Sequence, residues 1–237
     1  MCYHIKKTQS DRNYIENSFL ADLKMNVVPT YYHSNGFARP LMMIITEKEP
    51  NLIQSGIWSV APPKCQNIEK YWQEKGGSVL NTRNDSLFSY RSANWKTEAI
   101  LDQKCIALVT GFYEPHKVGK ESYPYLLYRP GFEIFGLCGY YTEQKHGKTF
   151  SVLTSGADDY MSKIHNAAKR MPMTLYPEDK ESYFNLKSEE ALKGEFAKQY
   201  RILLNHRAVE RSVLNTRIDN NHERIIQEIF HPIITDF

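Results

Sequence analysis

The stretch Cys105–Glu114, CIALVTGFYE, is strongly apolar and predicts a buried β-strand that ends in a carboxylate. Three more apolar or aromatic segments follow it, and turn-forming residues such as Arg129-Pro130-Gly131 separate them. These segments are Tyr123–Tyr128 (YPYLLY), Phe132–Tyr141 (FEIFGLCGYY) and Thr149–Ser155 (TFSVLTS). Strand-length segments at this spacing predict a meander of antiparallel strands.

The sequence predicts further strands and several helices around this meander. Strands are predicted at Cys2–Ile5, at Leu41–Thr46, at residues 78–80, and near Trp58, before the breaker at residues 61–63. Helices are predicted at Ser10–Leu23, at Asn67–Lys75, at Ala157–Lys163, within Pro177–Lys193 and near Asn221–Phe230. We therefore expect an α+β fold, in which a single domain over residues 1–237 has a barrel-like antiparallel β-sheet core flanked by helices.

Charge and cysteine content exclude several classes of protein. The formal net charge is only +3, so a nucleic-acid-binding surface would have to come from local clustering of basic residues. The four cysteines, Cys2, Cys65, Cys105 and Cys138, form no CxxC pair, which argues against a zinc site and a disulfide framework. The chain also lacks a signal-peptide pattern and any apolar run of about 20 residues. We expect a cytoplasmic protein with no metal, no cofactor and no membrane partner.

Cys2 is the first candidate for chemistry. Because a small residue at position 2 allows removal of Met1, we expect the mature chain to begin at Cys2. An N-terminal cysteine has a free α-amine and a thiol on adjacent carbons, and this pair converts an aldehyde through a Schiff base into a thiazolidine ring. At pH 7 about 14% of an α-amine is unprotonated, against about 0.04% of a lysine amine. The ordinary alternative is that Cys2 is a small apolar residue at the start of a strand.

Glu114 and His165 are candidates for proton transfer. Glu114 ends the apolar strand, where it lies either in solvent at the sheet edge or in a partly desolvated pocket suited to acid–base chemistry. His165 is followed by the cations Lys169 and Arg170, which form either a solvated surface or phosphate contacts. Each of these residues also has an ordinary structural interpretation.

A polar segment follows the predicted strand at residues 78–80. Asn81 can orient a substrate, and Arg83 has the planar guanidinium that suits phosphate groups. Both residue types are also common at strand ends. The order of the candidates along the chain therefore carries more information than any one of them.

The ordered set of motifs resembles the SRAP family, the SOS-response-associated peptidases, which process abasic sites. The resemblance runs from Cys2 to about Leu175. The motifs that carry it are Met1-Cys2, Trp58-Ser59-Val60-Ala61-Pro62, Asn81-Thr82-Arg83-Asn84-Asp85-Ser86, Lys104-Cys105-Ile106, Gly111-Phe112-Tyr113-Glu114, Leu137-Cys138-Gly139-Tyr140, Thr154, Ile164-His165 and Arg170-Met171-Pro172. The resemblance implies an α+β domain on a barrel-like antiparallel sheet, with a positively charged channel for single-stranded DNA.

The resemblance also implies a role for each candidate residue. Cys2 forms the thiazolidine with the ring-opened sugar of an abasic site, and Asn81 orients the linkage. Glu114 assists opening of the sugar ring and proton transfer, and His165 handles protons on the sugar oxygen or the Schiff base. Arg83 matches the phosphate-contacting arginine of the family. We expect further DNA contacts from Arg39, Trp58, Arg91, Lys163, Lys169 and Arg170.

Four positions depart from the motifs of the family. Ser59 replaces a glycine, Asp85 replaces the longer glutamate, and Pro115 replaces the tryptophan that usually follows the catalytic glutamate. The early loop reads Tyr32-His33-Ser34-Asn35-Gly36-Phe37, where the family has Tyr-Asn-x-Ala-Pro. These changes affect the expected shape and affinity of the DNA channel more than the chemistry.

The sequence therefore predicts a DNA-damage response enzyme that crosslinks itself to abasic sites in single-stranded DNA. We expect a monomer that removes its own Met1, associates with the nucleoid when bound to DNA, and can reverse the crosslink by a lyase reaction. Two alternatives stay open. The first is a cysteine or N-terminal-nucleophile peptidase with His165 as the base, and the second is a non-catalytic binder of single-stranded nucleic acid.

Overall fold

The structure is a computed structural model that describes residues 2–89, 92–198 and 202–231, without the side chains of residues 195–198. Its strands are β1 (His4–Lys7), β2 (Asp22–Leu23), β3 (Tyr31–Asn35), β4 (Leu41–Thr46), β5 (Glu49–Trp58), β6 (Asn81–Arg83), β7 (Lys104–Val109), β8 (Gly111–Val118), β9 (Glu121–Tyr128), β10 (Phe135–Gln144), β11 (Gly147–Gly156), β12 (Arg170–Pro172), β13 (Thr174–Leu175) and β14 (Asn205–Ala208). Its helices are α1 (Arg12–Phe19), α2 (Ile68–Lys75), α3 (Asn84–Leu87), α4 (Asn94–Asp102), α5 (Asp159–Ile164), α6 (Lys180–Phe184) and α7 (Glu189–Lys198). The predicted α+β class is confirmed.

The strands form a larger and a smaller sheet. In the larger sheet the order is β12–β11–β10–β7–β4–β5–β2, with β13 beside β10 and β6 beside β11. Strand β5 also pairs in parallel with β11, where Trp58 lies opposite Phe150. Strands β11, β10, β7, β4 and β5 therefore pair in a closed circuit. The smaller sheet has the order β14–β9–β8–β1–β3 and is antiparallel throughout.

The two sheets are joined within the apolar stretch that predicts the fold. The sequence predicts one strand over Cys105–Glu114, but the structure ends β7 before Thr110 and begins β8 after it, so the prediction of a single strand is wrong. The amide of Thr110 donates to Lys6 O at 2.9 Å, which ties this break to β1. Gly111 is required because a Cβ there would lie 2.8 Å from Leu127 O of the paired strand β9. One apolar run thus supplies a strand to each sheet.

The N-terminal strand lies inside the smaller sheet, between β3 and β8. The register with β8 places His4 opposite Tyr113 and Ile5 opposite Phe112. Apolar side chains from both sheets form one buried cluster that contains Cys2, Ile5, Trp58, Phe112 and Phe135, among others. Cys2 and strand β1 are consequently part of the core.

Several other sequence predictions need correction. The segment 78–80 lies in a short 3-10 turn and its end, and the strand begins at Asn81. The first helix is limited to Arg12–Phe19, because Leu20 takes a left-handed conformation with φ 49° and stops it. The segment 221–230 contains a 3-10 turn at Glu223–Ile226 in place of a helix, since Ile225 packs with Tyr113 and Leu126 in a third apolar cluster. Within the described part of the chain, no helix has the length and apolar character needed to cross a membrane.

Glycines on two adjacent strands provide a test of this packing. A Cβ at Gly139 of β10 would lie 2.4 Å from Ser151 O of β11, whereas a Cβ at Gly156, at the end of β11, meets no atom within 4 Å. We expect Gly139→Ala to lower the free energy of unfolding by about 1–3 kcal/mol, because the two strands must separate. The control Gly156→Ala should change it by less than about 0.5 kcal/mol. Chemical denaturation of both variants measures this, and equal stabilities would contradict the close approach of β10 and β11.

Candidate active site

Cys2 lies at the meeting point of the two sheets. Its side chain is fully buried, and its Sγ lies 3.7 Å from His4 O as a weak donor. Extending the β1–β8 register by two residues places Tyr3 opposite Glu114 and Cys2 opposite Pro115. Burial raises the pKa of the Cys2 thiol well above its usual value, and the negative charge of Glu114 raises it further. Cys2 and Glu114 are therefore close enough to interact, and the thiol is protonated at neutral pH.

Asn81 is in direct contact with Cys2. Its Nδ2 donates to Cys2 O at 2.7 Å, which joins residues 79 positions apart in sequence. Strand β6 holds Asn81 in place by pairing in parallel with β11, where Asn81 lies opposite Val152. The Asn81 Oδ1 atom is buried and has no hydrogen-bond partner among the described residues. A buried acceptor without a donor costs about 1–3 kcal/mol, so this atom is a candidate to bind a substrate group.

Glu114 and His165 form a buried pair. The side chains are 0% and 4% exposed, respectively, and His165 Nδ1 lies 3.0 Å from Glu114 Oε2. The same nitrogen lies 2.9 Å from Arg170 O. Both neighbours are oxygen acceptors, so we assign the proton to Nδ1 and leave Nε2 for exchange with a substrate. Of the two possible environments for Glu114, the structure shows the buried one.

The turn that carries His165 is fastened to the strand that carries Glu114. The side chain of Asn166 accepts from Lys117 N at 2.9 Å and donates to Lys117 O at 2.8 Å. The Nδ1 atom of His116 lies 2.9 Å from Lys163 O. Asn166 and His116 are therefore positioning residues that the sequence did not single out. The sequence could have indicated them by position alone, because Asn166 directly follows His165 and His116 lies two residues after Glu114.

The predicted cationic residues divide into an exposed and a buried group. Lys163, Lys169 and Arg83 are exposed, and Arg39 is half-buried. Arg39 donates to Glu69 at 2.7 Å and lies over the Trp72 ring, with 4.8 Å between the guanidinium carbon and the ring centroid. These four cations are placed where solvent, and hence a ligand, reaches them.

Two residues predicted to contact DNA lie in the interior. The Trp58 indole is 0% exposed and donates to Leu80 O at 2.8 Å, so it offers no free face to a base. Arg170 is 8% exposed, and its Nη2 donates to Thr154 O and to Thr154 Oγ1, at 2.5 and 3.1 Å. We interpret Trp58 as a core residue and Arg170 as a positioning residue. Arg91 and Met1 lie outside the described residues.

Asp85 is a carboxylate that meets two of the predicted cations. It accepts two hydrogen bonds from Arg83, at 3.0 and 2.7 Å, and one from Arg170, at 3.0 Å. Arg83 lowers the pKa of Asp85 below its usual value by hydrogen bonding. In the sequence, Asp85 is only a shorter replacement for a glutamate, and no pattern there predicts a role for it.

The described residues contain no group of three or more His, Cys, Asp or Glu side chains that could hold a metal ion. A cavity of about 820 Å³ lies elsewhere, between α2 and the turn after β10, and Cys65, Trp72 and Lys148 are among its lining residues. None of the four candidate catalytic residues lines that cavity. Their contacts with one another, and not the size of this cavity, identify the candidate site.

The family model for the SOS response associated peptidases (SRAP) matches residues 1–216. The chain belongs to the SRAP family. Membership connects this protein with the response to DNA damage. A search of curated proteins gave no match.

The fold is similar to that of several solved bacterial proteins. A protein from Bacteroides thetaiotaomicron has a TM-score of 0.79 at 23% identity, covering 97% of this chain and 100% of its own. A protein from Bordetella bronchiseptica has a TM-score of 0.67 at 20% identity, covering 88% of this chain and 100% of its own. A phage-related protein from the same bacterium has a TM-score of 0.60 at 14% identity, covering 89% and 95%. At these identities the comparison shows the fold alone.

The burial of the cysteines in this SRAP protein predicts their order of reaction. Cys2, Cys105 and Cys138 are buried, and burial raises the pKa of each thiol, whereas Cys65 is partly exposed. We expect iodoacetamide at about pH 7.5 to label Cys65 first in the native protein, because alkylation requires an accessible thiolate. Peptide mass mapping over time measures the order, with denatured protein as the control for intrinsic reactivity. Labelling of Cys2 as fast as that of Cys65 would contradict the buried thiol.

Proposed function

We propose that this SRAP protein captures abasic sites in single-stranded DNA through a covalent bond to Cys2, after Met1 has been removed. One observation carries the proposal: Cys2, Asn81, Glu114 and His165, from four distant parts of the sequence, converge on one buried place. A 1,2-aminothiol beside a carboxylate and an imidazole has the groups that aldehyde capture needs. We further propose that the protein acts as a monomer in the cytoplasm, associated with the nucleoid when bound to DNA.

The chemistry proceeds in two bond-forming steps. The α-amine of Cys2 adds to the aldehyde carbon of the ring-opened sugar, and loss of one water molecule gives the Schiff base. The Cys2 sulfur then bonds to the same carbon and the C=N electron pair moves to nitrogen. The thiol proton passes to a base and the nitrogen takes up one proton, so ring closure neither gains nor loses an atom. The product is a thiazolidine that joins the protein to the DNA, and reversal follows the same steps backwards.

Glu114 is the group best placed to move these protons. The pKa of the Cys2 thiol is raised, so the thiol does not ionise by itself at neutral pH and ring closure needs a proton acceptor. The Glu114 carboxylate already interacts with that thiol and lies in a fully buried environment. We assign to Glu114 both the opening of the sugar ring and the acceptance of the thiol proton.

His165 and Asn81 complete the site. Because Arg170 O and Glu114 Oε2 flank Nδ1 of His165, proton exchange with the sugar oxygen or the Schiff base runs through Nε2. Asn81 fixes the carbonyl of Cys2 through its Nδ2, and its Oδ1 is available to accept from the amine or from a sugar hydroxyl. Asn81 therefore orients the linkage.

The exposed cations Arg83, Lys163 and Lys169, with the half-buried Arg39, are the proposed phosphate contacts. Arg91, which the structure does not describe, stays a prediction. If about four phosphates are neutralised, the slope of log K against log salt concentration should be about −3 for a single strand.

The identity of the nucleophile is tested by intact mass after incubation with an abasic oligonucleotide. We expect the wild type, with Met1 absent, to gain the mass of the oligonucleotide minus one water. Cys2→Ala should bind the strand reversibly without a stable adduct, because it lacks the thiol that closes the ring. The matched control Cys65→Ala removes a cysteine outside the site and should crosslink like the wild type.

The same incubation separates the alternatives when a peptide substrate is added and binding of the oligonucleotide is followed by gel shift. A full adduct in protein that retains Met1 would contradict the α-amine mechanism. Cleavage of a peptide without an adduct would indicate the peptidase, and a reversible shift alone would indicate a simple binder of single strands.

The proton-transfer roles are tested by single-turnover rates between about pH 5 and pH 9. We expect Glu114→Gln to slow adduct formation by about 10²-fold or more at neutral pH, with non-covalent affinity nearly unchanged. His165→Ala should change the pH dependence, and the rate of reversal, more than binding. The control His146→Ala removes an exposed histidine in the turn after β10. Wild-type rates for both site variants at every pH would refute these two roles.

A further inference from the structure

We propose that Asp85 is an intramolecular competitor for DNA, because it occupies the guanidinium of Arg83 that a phosphate group would bind. Asp85 thereby sets the affinity of the protein for single strands. This inference rests on the proposed function, since it concerns the same DNA-binding surface. It gives a role to a residue that lies outside the catalytic group.

The contact between Arg83 and Asp85 uses the geometry with which arginine binds phosphate. Nε of Arg83 donates to Oδ1 of Asp85 at 3.0 Å, and Nη2 donates to Oδ2 at 2.7 Å. Two parallel N–H···O bonds of this kind are the arrangement in which a guanidinium recognises a carboxylate or a phosphate. Asp85 therefore holds the two donors that a phosphate oxygen pair would take.

This contact is exposed and can be exchanged. The side chains of Arg83 and Asp85 are 56% and 48% exposed, respectively. Exposed ion pairs contribute little to stability and weaken with salt. A DNA phosphate, supported by the neighbouring cations, can replace the carboxylate at Arg83 without disturbing the core.

Arg170 explains why Asp85 stays in place when Arg83 leaves it. Nη1 of Arg170 donates to Oδ2 of Asp85 at 3.0 Å, and its Nη2 is fixed to Thr154. Because Arg170 is almost completely buried, it remains beside Asp85 while Arg83 turns to the DNA. Asp85 therefore keeps Arg170 as its cationic partner, so the move of Arg83 from Asp85 to the DNA costs little free energy.

The strand order brings the two arginines to one carboxylate. On β11, Thr154 lies opposite Arg83 of β6 on one side and opposite Pro172 of β12 on the other. Arg83 and Arg170, which belongs to β12, consequently approach each other across β11. Asp85 lies between these two positive charges and offsets their repulsion in the free protein.

The test is a double-mutant cycle with a labelled single-stranded oligonucleotide that has no abasic site. The affinities of the wild type, Asp85→Asn, Arg83→Ala and the double variant are measured at one low salt concentration. The amide introduced by Asp85→Asn keeps an oxygen for Arg170, so the fold should be retained, and thermal unfolding checks this. If Asp85→Asn is destabilised, Asp85→Ser replaces it in the cycle.

We expect Asp85→Asn to bind about three- to tenfold more tightly, because Arg83 is then free of its carboxylate. In the Arg83→Ala background the same substitution should change affinity less than about twofold. The matched control Glu121→Gln releases Arg211 from an exposed pair on β9 and should also have less than about a twofold effect.

The possible results separate the inference from the proposed function. No binding of the oligonucleotide by any variant would overturn both. Binding by the wild type, with no gain for Asp85→Asn, would overturn the inference alone. An equal gain with and without Arg83 would also overturn it, because the effect would then be the general loss of a negative charge.

Discussion

The hydrogen-bonded position of strand β1 between β3 and β8 is the constraint on which the candidate site depends. A chain terminus is usually the least ordered part of a domain unless a sheet holds it. Here both neighbours hold it, since His4 lies opposite Asn35 on one side and Tyr113 on the other. This pairing sets the distance between the start of the chain and Glu114, the fourth residue of β8. If β1 left the sheet, Cys2 would lose its contact with Asn81 and its environment near Glu114.

Burial gives the same group of residues its chemical character. The apolar cluster around Cys2 removes water, so the thiol stays protonated and the charge of Glu114 acts on it strongly. Polar and charged groups in a core lower the free energy of unfolding unless they form hydrogen bonds. Two hydrogen bonds offset part of that cost. His165 bonds to Arg170 O, and Asn81 donates to Cys2 O. The buried Oδ1 atom of Asn81 has no hydrogen-bond partner among the described residues, so its share of the cost is not offset.

The surface around the site explains why a net charge of only +3 is compatible with a DNA-binding role. Arg39 is paired with Glu69, and Arg83 is paired with Asp85, so two of the proposed phosphate contacts are neutralised within the free protein. Composition counts these acids and bases together and cannot show which of them are adjacent.

The sequence by itself determined the strand-rich middle of the chain, the helix that Asn67 caps and the identity of Cys2, Glu114 and His165 as candidates. The strands and the helix followed because alternation, turn residues and caps act over a few neighbouring residues. The three candidates followed from the reactivity of their side chains and the order of the motifs. Only the tertiary structure divided the apolar run at Thr110, buried Trp58 and Arg170, and gave Asp85 two arginine partners. Those outcomes depend on contacts between residues far apart in the chain, such as Thr110 with Lys6 and Arg170 with Asp85. A local pattern does not specify which distant segment covers a side chain, and burial and pairing are decided by that segment.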